Sequence, residues 1–405
     1  MTVAQGINKI TVYKEQTALG TPATGAGGQV LRRKTSVAKT TRATYTNDEI
    51  VQHQQSTGVN LGTAASDWQF DGLLSPGTYS GLLQTLMRKV FTATAAITGL
   101  SLTIAGAGPY TLTRGSGDFL AGGLKIGDVI RITAGTYANG VNRDNNFIVT
   151  ALSATVATVI TLNGSVLIAE GPIATSTITV VGKKSIVPLT GHTDKLVTVE
   201  EWYADLSKSE LFPDIRVGQA DIGLPASGNA TIKLNSQGLG VRTGGVAQVL
   251  TSPAAATTSP VLTAVRGILR INGSTIQTVT GVTLTIKTAL TAEGPIVGSN
   301  FSPDMSRGRI EVMGSFTALF DSTTLRDLFD TETLTSLVVV MASDTSNAAD
   351  FVSFSMSALK LTDASPDDGE KAIIRTYPFT AQLNAAGGAA LANDQTIVTI
   401  QDSLA

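Results

Sequence analysis

Apolar and polar positions alternate with period two through residues 69–73, 196–202, 282–287, 309–312 and 351–358. Thr, Val and Ile are frequent in these runs, and Gly, Asn, Asp or Pro stand between them. β-Branched residues in alternation, with turn residues at short spacing, are the pattern of half-buried strands. The chain is therefore expected to be mainly β, built of sandwiches or barrels. Two segments have helical spacing instead. In the first, Ser75 is expected to cap a helix with Pro76 at its first position, and Tyr79, Leu82, Leu83, Leu86 and Val90 fall on one stripe. In the second, Asp321 or Ser322 caps a turn carrying Leu325, Leu328 and Phe329. Each helix follows a strand and has one apolar face, so each is expected to lie against a sheet.

The helices expose a repeat. Val30-Leu31-Arg32 matches Ile268-Leu269-Arg270, and the strand ending at Gly72 (67–72) matches the one ending at Gly314 (309–314), each leading into a helix. Beyond the helix, 196–202 parallels 336–341, 215–224 parallels 352–361, and 230–235 parallels 378–384. The order of pattern elements carries this reading, not identity. The alternative is two β domains that share a strand–helix step.

The first copy is interrupted between Phe91 and Lys184. Six short strands are expected there, at 101–104, 110–113, 128–133, 147–152, 156–162 and 176–181, enough for a small closed barrel or sandwich. The expected organisation is an N-terminal arm (1–29), a discontinuous first domain (30–91 and 185–245), an inserted β domain (92–184), a linker (246–260) and a second domain with a C-terminal tail (261–405). Each of the two larger domains is a β-sandwich or barrel flanked by one α-helix.

Composition narrows the function. Among 405 residues, 42% are hydrophobic and only 15% charged, and Lys+Arg (29) nearly balance Asp+Glu (31). Neither disorder nor a basic nucleic-acid-reading face follows from those values. Apolar runs such as 337–342 are far shorter than the ~18 residues a membrane helix needs. The opening residues lack the basic and apolar blocks of a secretory signal. Cysteine is absent, which excludes disulfides, thiolate metal sites and Cys nucleophiles, and His53 and His192 are the only imidazoles.

The remaining candidates for chemistry are weak. The run Gly25 to Gly28 lacks the GK[ST] ending of a phosphate loop and reads as a hinge. Asp363, Asp367, Asp368 and Glu370 suit a weak Ca²⁺ loop or, better, a solvated hairpin tip, and Asn142 to Asn146 has the same two readings. A Ser-His-Asp set would need His53 or His192, and no Gly-x-Ser-x-Gly elbow is present. Trp68, Trp202 and Tyr203 suit a stacking platform, but Trp68 and Phe70 at alternate strand positions suit a core better. Lys183 and Lys184, like Arg32, Arg33 and Lys34, are too few for a nucleic-acid stripe and read as solvated or as paired across an interface. No catalytic, cofactor or metal constellation emerges, and the chain is expected not to be an enzyme.

Several stretches resemble the tail tube proteins of long-tailed (siphovirus-type) bacteriophages. These are Met1-Thr-Val-Ala-Gln-Gly-Ile-Asn-Lys9 followed by Val12-Tyr13-Lys14-Glu15-Gln16, Gly72-Leu-Leu-Ser-Pro-Gly-Thr-Tyr79, Glu201-Trp-Tyr203 with Ser209-Glu210-Leu-Phe212, Val297-Gly-Ser-Asn300, Asn347-Ala-Ala-Asp350-Phe351, Asp367-Asp-Gly-Glu-Lys371 and the closing 398–403. The resemblance implies a tube fold, with rings of the protein stacked head to tail around a lumen that conducts double-stranded DNA. It implies a virion location after assembly in the bacterial cytoplasm. The expected partners are further copies of the chain and other tail proteins, namely the terminator, tape-measure and distal tail proteins, with DNA as cargo and no membrane partner.

A family ring of six tube domains with two per chain would close with three chains. The insert, about 90 residues with a radius of gyration near ~12 Å, is expected to project outward, since it would block a lumen. The lumen wall is expected to be acidic or polar, because cations bind DNA through counterion release. Residues 1–29 and 36–63 are poor in core formers. They are expected to be held by neighbouring copies through added strands, with docking inside the chain as the alternative. Two other functions stand against a tube. A carbohydrate-binding or receptor-adhesion protein needs an aromatic platform on the insert, where Tyr110, Phe119, Tyr137 and Phe147 are scattered. A glycosidase or lyase needs paired carboxylates that the sequence does not single out.

Overall fold

A computed structural model describes residues 3–53, 55–368 and 370–405. The chain opens with strand β1 (Lys9–Gln16), the short β2 (Gln29–Val30), and a long hairpin of β3 (Thr35–Thr46) and β4 (Val59–Leu73), which leads to helix α1 (Ser80–Met87). Alternation makes β4 a strand with two unlike faces. Ala64, Ser66, Trp68 and Phe70 are buried, while Asp67, Gln69 and Asp71 face the other way.

An interrupting unit follows: β5 (Ile97–Ala105), β6 (Tyr110–Arg114), β7 (Val129–Ala134), β8 (Asn146–Leu152), β9 (Val156–Thr161) and β10 (Glu170–Val180). These strands close in the order β10-β5-β6-β9-β8-β7, so the unit has no free edge. Leu102, Leu112, Phe119, Ile132, Phe147 and Ile178 fill it. Its two ends meet at Thr92 and Lys184, which exchange both backbone hydrogen bonds (2.9 and 3.0 Å). A compact unit can leave and rejoin the chain at such a neck.

The chain returns through β11 (Lys183–Ile186), β12 (Leu196–Tyr203), the long β13 (Lys208–Leu224), β14 (Thr231–Gly238) and β15 (Thr243–Gly245). It continues through β16 (Gly267–Ile271), β17 (Ser274–Thr275), β18 (Val279–Ala292), β19 (Met305–Leu319), α2 (Thr324–Asp330), β20 (Thr335–Ala342), β21 (Phe351–Leu361), β22 (Ser365–Pro366), β23 (Ile374–Ala381) and β24 (Thr399–Asp402). The architecture is mainly β.

One pairing order occurs twice: β1-β12-β13-β14-β4-β3, and β16-β20-β21-β23-β19-β18. The irregularities recur as well. Between β12 and β13 the register jumps from Val197↔Ile215 to Val199↔Phe212, and between β20 and β21 from Thr335↔Leu359 to Leu337↔Met356. Between β3 and β4 it jumps from Arg42↔Ala64 to Thr44↔Leu61, and between β18 and β19 from Thr288↔Ile310 to Leu290↔Arg307. Bulges are specific local features, so recurrence at matched places marks residue-level equivalence.

These ladders correct the sequence matching. Thr231↔Leu73 and Ile374↔Leu319 are the equivalent ends of the β14–β4 and β23–β19 ladders, which puts Phe70 at the position of Phe316 and Trp68 at that of Gly314. The match through Gly72 and Gly314 is four residues out of register. The counterpart of β16 is β1, not Val30-Leu31-Arg32, because β1 pairs β12 as β16 pairs β20. Within the chain itself the early segments already find strand partners. Residues Lys9–Gln16 pair β12 of the same chain, and β3 and β4 pair each other.

Both helices begin later than expected. Ser75 and Thr78 close a turn (side-chain oxygens 2.7 Å apart), and Gly77 at φ +71° breaks the helical path, so α1 starts at Ser80. Arg88, left-handed at φ 55°, ends α1 and leaves Val90 outside it. Helix α2 follows Thr323, whose hydroxyl donates to Asp327 (2.9 Å).

The two copies share one core and one continuous sheet. Strand β13 pairs β14 on one side and, from Gln219 to Leu224, β18 on the other, giving the order β3-β4-β14-β13-β18-β19-β23-β22. Behind the second half of this sheet lies the layer β16-β20-β21-β24-β11. Leu337, Val339 and Met341 of β20 face the core, whereas Val338, Val340 and Ala342 face Val129, Ile148 and Leu162 of the barrel. The barrel is thus separated from the eight-stranded sheet by the β20 layer and the core.

Candidate functional site

The eight-stranded sheet has one face in the core and one in water, and its outer strands, β3 and β22, each lack a partner on one side among the described residues. Strands with an unlike inner and outer face follow from alternation. The wet face here carries Asp67, Gln69 and Asp71 of β4, Gln219 and Asp221 of β13, and Lys233, Asn235 and Gln237 of β14. The second copy adds Thr283, Thr285 and Lys287 of β18 and Glu311, Ser315 and Thr317 of β19.

Charges on this face are matched by register. Lys39 stands opposite Asp67, Lys233 opposite Asp71 on one side and Asp221 on the other, and Lys287 opposite Glu311. Lys287 and Arg309 reach Glu311 at 3.3 and 3.2 Å, and their hydrogen bonds hold its carboxyl below the usual range. Asp221 sits at the seam between the copies and accepts from Gln219 (2.8 Å) and from Thr285 of β18 (2.7 Å). Opposite charges placed directly across strands stabilise the pairing and leave few unmatched cations for phosphate. The face is polar and close to neutral.

The seam ends in two buried arginines that meet half-exposed carboxylates. Arg216 of β13 pairs Asp194 (2.7 Å) and Asp304 (3.0 Å), and Arg307 of β19 pairs Asp194 (2.9 Å) while donating to the carbonyls of Thr85 and Lys195. Burial pulls Arg307 down to about 10, against the opposing pull of Asp194. The Met305 amide, and then Arg216, hold Asp304 below the usual carboxylate range. The loop 293–304 of the second copy also folds back on the first, with the Ala64 amide donating to Asn300 (2.7 Å). Strand, loop and ion pairs together fix how one copy sits beside the other.

Most residues singled out from sequence lie elsewhere and serve structure. The loop 24–28 turns the carbonyls of Thr24 and Ala26 onto Lys14 Nζ (2.6 and 2.5 Å), the polarity opposite to that of a phosphate loop. Asp363 accepts from the Ala364 amide and Ser365 hydroxyl, and Asp367 from the Ile374 amide, so both close turns; Gly369 beside them lies outside the described residues. Asn142, Asn145 and Asn146 are buried rather than at a solvated tip. Asn146 donates to Ala349 (2.8 Å) and so ties the barrel to the second copy.

His53 and His192 lie in different loops, and no hydrogen bond joins them. Trp68 is buried with its indole N–H on Ser36 (3.0 Å). Trp202 and Tyr203 are half-buried, and burial, then Glu201, pushes the Tyr203 hydroxyl up to about 12. Lys183 is exposed, but Lys184 is half-buried and paired with Asp128 (2.9 Å) and Asp394 (3.6 Å). Arg32 bonds Ser259 and Ser75, and Arg33 bonds Gly6 and Lys9. In the barrel Tyr110, Phe119 and Phe147 are core residues and Tyr137 is half-buried on Ser176, so they form no exposed platform.

Sequence reasoning missed Glu200, which is fully buried and accepts from Ser209 (2.5 Å) and from the amides of Val249 (2.7 Å) and Leu250 (2.8 Å). The linker is therefore pinned to the first copy at that point. A carboxylate inside the apolar run 196–202 was the available signal, since a buried acid needs donors.

A family model described as phage tail tube protein matches residues 6–381 of the chain. No curated protein matches it.

Proposed function

The chain belongs to the phage tail tube protein family, and from that premise we propose that it assembles with itself into stacked rings whose lumen conducts double-stranded DNA during ejection. Its role is structural, in the virion tail. The observation that carries the proposal is the eight-stranded sheet, which is wet on one face and unpartnered at both ends. Unpaired strand ends are normally covered or closed. Here one copy can close on the next by a heterologous contact that generates a ring.

Two copies of one pairing order in each chain support a ring of three chains with pseudo-sixfold symmetry. Its wall would hold 24 strands spaced about 4.8 Å apart, roughly 115 Å around and ~37 Å across at the backbone, and wider with strand tilt. In this reading the first domain joins 30–91 to 185–245, with β1 (Lys9–Gln16) added at its edge. The insert 92–184 is a separate barrel, 246–260 links the copies, and 261–405 is the second domain. The barrel lies behind the β20 layer, away from the polar face, which supports an outward position.

The matched polar face then lines the lumen. DNA carries one negative charge per ~1.7 Å of duplex axis, and a wall whose lysines already face carboxylates gives it little to bind. Apolar side chains at the hairpin ends, including Ile50, Ile296 and Val297, are exposed and suit contacts between stacked rings. Assembly takes place in the host cytoplasm, with the terminator, tape-measure and distal tail proteins capping or measuring the tube. The chain catalyses no reaction.

Electron microscopy of the purified chain over a range of concentrations tests this. Rings or tubes are expected. A dispersed monomer at every concentration, without end-to-end association, would refute the assembly reading.

A further inference from the structure

The seam inside the chain shows how one copy of the repeat receives another. Strand β13 offers residues 219–224 to residues 282–287 of β18, antiparallel, from Gln219↔Lys287 to Leu224↔Val282. Each side of this seam has a counterpart that is unpartnered in the isolated chain. The counterpart of β18 is β3, because the two hairpins carry the same bulge and loops of equal length, 47–58 and 293–304. That correspondence places residues 36–41 where 282–287 stand.

The counterpart of the β13 end is the segment carrying β22. Asp221↔Lys233 and Ile222↔Ile232 in the first copy correspond to Ser365↔Thr376 and Pro366↔Arg375 in the second. Residues 363–368 therefore occupy the place of 219–224. Ala364 takes the position of Ala220, and both are buried.

We infer that residues 363–368 of one chain pair antiparallel with residues 36–41 of β3 in a second copy of the chain, Ala364 opposite Thr40 and Ser365 opposite Lys39. The inference rests on the ring reading and supplies its contact.

Three further observations favour this occupant. First, the chemistry is complementary. Asp363, Asp367 and Asp368 line one edge and Lys39 and Arg42 the other. The register sets Lys39 diagonally between Asp363 and Asp367, within reach of a long side chain. Second, the helices differ in cover. Helix α1 is packed by β18 of the other copy, with Leu82, Leu83, Leu86 and Met87 buried. Helix α2 has only Leu325 buried and lacks the corresponding hairpin.

Third, apolar side chains wait on both sides. Leu61 stands at the position of Arg307, whose guanidinium meets the Lys195 carbonyl beside β12. The equivalent place beside β20 is next to Leu334. Leu61 and Leu334 are 63% and 50% exposed and would cover each other.

Pro366 limits what else can pair there. The Asp367 amide donates inward to Ile374 (2.9 Å), so by alternation the Pro366 nitrogen faces the open side, where it can give no hydrogen bond. One ladder bond is lost in the proposed contact, and the edge becomes a poor template for an arbitrary strand.

The test is disulfide trapping in the full chain, which contains no cysteine. Lys39→Cys with Ser365→Cys puts both thiols on the polar face. The same geometry brings Thr285 and Asp221 together inside the chain at 2.7 Å, so Asp221→Cys with Thr285→Cys serves as an intramolecular control that fixes the oxidation conditions. Thr35→Cys with Ser365→Cys is the off-register control, four residues along β3.

On oxidation of assembled material, Lys39→Cys/Ser365→Cys is expected to give a ladder ending in a closed covalent ring, at least tenfold above the off-register pair. If the reduced pair does not assemble, Thr41→Cys with Asp363→Cys moves the thiols one step along the same face and takes its place. Tubes that form but do not crosslink in register, or that crosslink equally out of register, overturn the inference and leave the ring reading standing. Failure of the wild-type chain to form any ring removes both.

Discussion

Lys287 of β18 meets Glu311 of β19 at 3.3 Å across the polar face of the sheet, and the two residues are directly paired in the ladder. Lys39 and Lys233 also stand opposite carboxylates. Lys287 is thus held in the plane of the sheet, and register alone sets carboxylates beside the exposed Lys39 and Lys233.

Unmasking those lysines should make the wall sticky. Asp71→Asn, Asp221→Asn and Glu311→Gln together leave Lys233 and Lys287 without their opposite charges. Assembled tubes of the triple variant should bind linear duplex DNA more tightly at low salt, with the log–log salt slope steeper by about 0.9 for each new phosphate contact. Tube formation should persist. Filter binding across a salt series reads the slope, and an unchanged slope would show that the face does not meet DNA.

Lys184 joins the barrel neck to both Asp128 of the barrel and Asp394 near the C-terminus. Burial alone would lower Lys184, but the two carboxylates hold it above its ordinary value, while burial raises Asp128 despite Lys184. Lys184→Met leaves Asp128 buried without its cation and should destabilise the chain by about 3–5 kcal/mol. Adding Asp128→Asn should recover part of that loss. Denaturant midpoints of the two variants decide it, and equal midpoints would contradict the coupling.

Asp402 should make stability depend on acidity. Its carboxyl accepts from the Gly77 and Leu404 amides (2.9 Å), yet burial pushes it up to about 6. The folded value lies above the unfolded one, so the folded state binds the proton more tightly. The contribution of this group is greatest below about pH 4, is lost as pH rises through about 6, and is flat beyond. The difference is on the order of 2–3 kcal/mol. Asp402→Asn should remove that slope. Melting temperatures from pH 4 to 8 measure it, and an identical profile in the variant would exclude Asp402 as its source.

The glycine–phenylalanine discrepancy shows why the repeat was legible in order but not in register. Matching Gly72 to Gly314 displaced β4 against β19 by four residues, and an even displacement leaves the inward and outward sets of a strand unchanged. Hydrophobic pattern therefore could not detect the error that places Phe70 away from Phe316. Along β13 even parity is lost, because residues 211–218 are buried on both faces. The helix starts failed for a different reason. Gly77 sits at φ +71° against the C-terminal tail, where an added Cβ would lie 2.9 Å from Leu404, a contact more than 300 residues away in sequence.

Alternation, β-branched content and turn spacing determined that the chain is mainly β, that two helices each present one apolar face, and that a small closed unit interrupts the first copy. Those are local properties, written within a few residues of where they act. Which strands neighbour each other, which face stays wet, that Asn146 and Glu200 are buried and that Lys184 is paired rather than solvated were decided only in three dimensions. A backbone edge or a buried charge is satisfied by whatever group the fold brings to it, and between Asn146 and Ala349, as between Glu200 and Leu250, sequence separation carries no trace of that meeting.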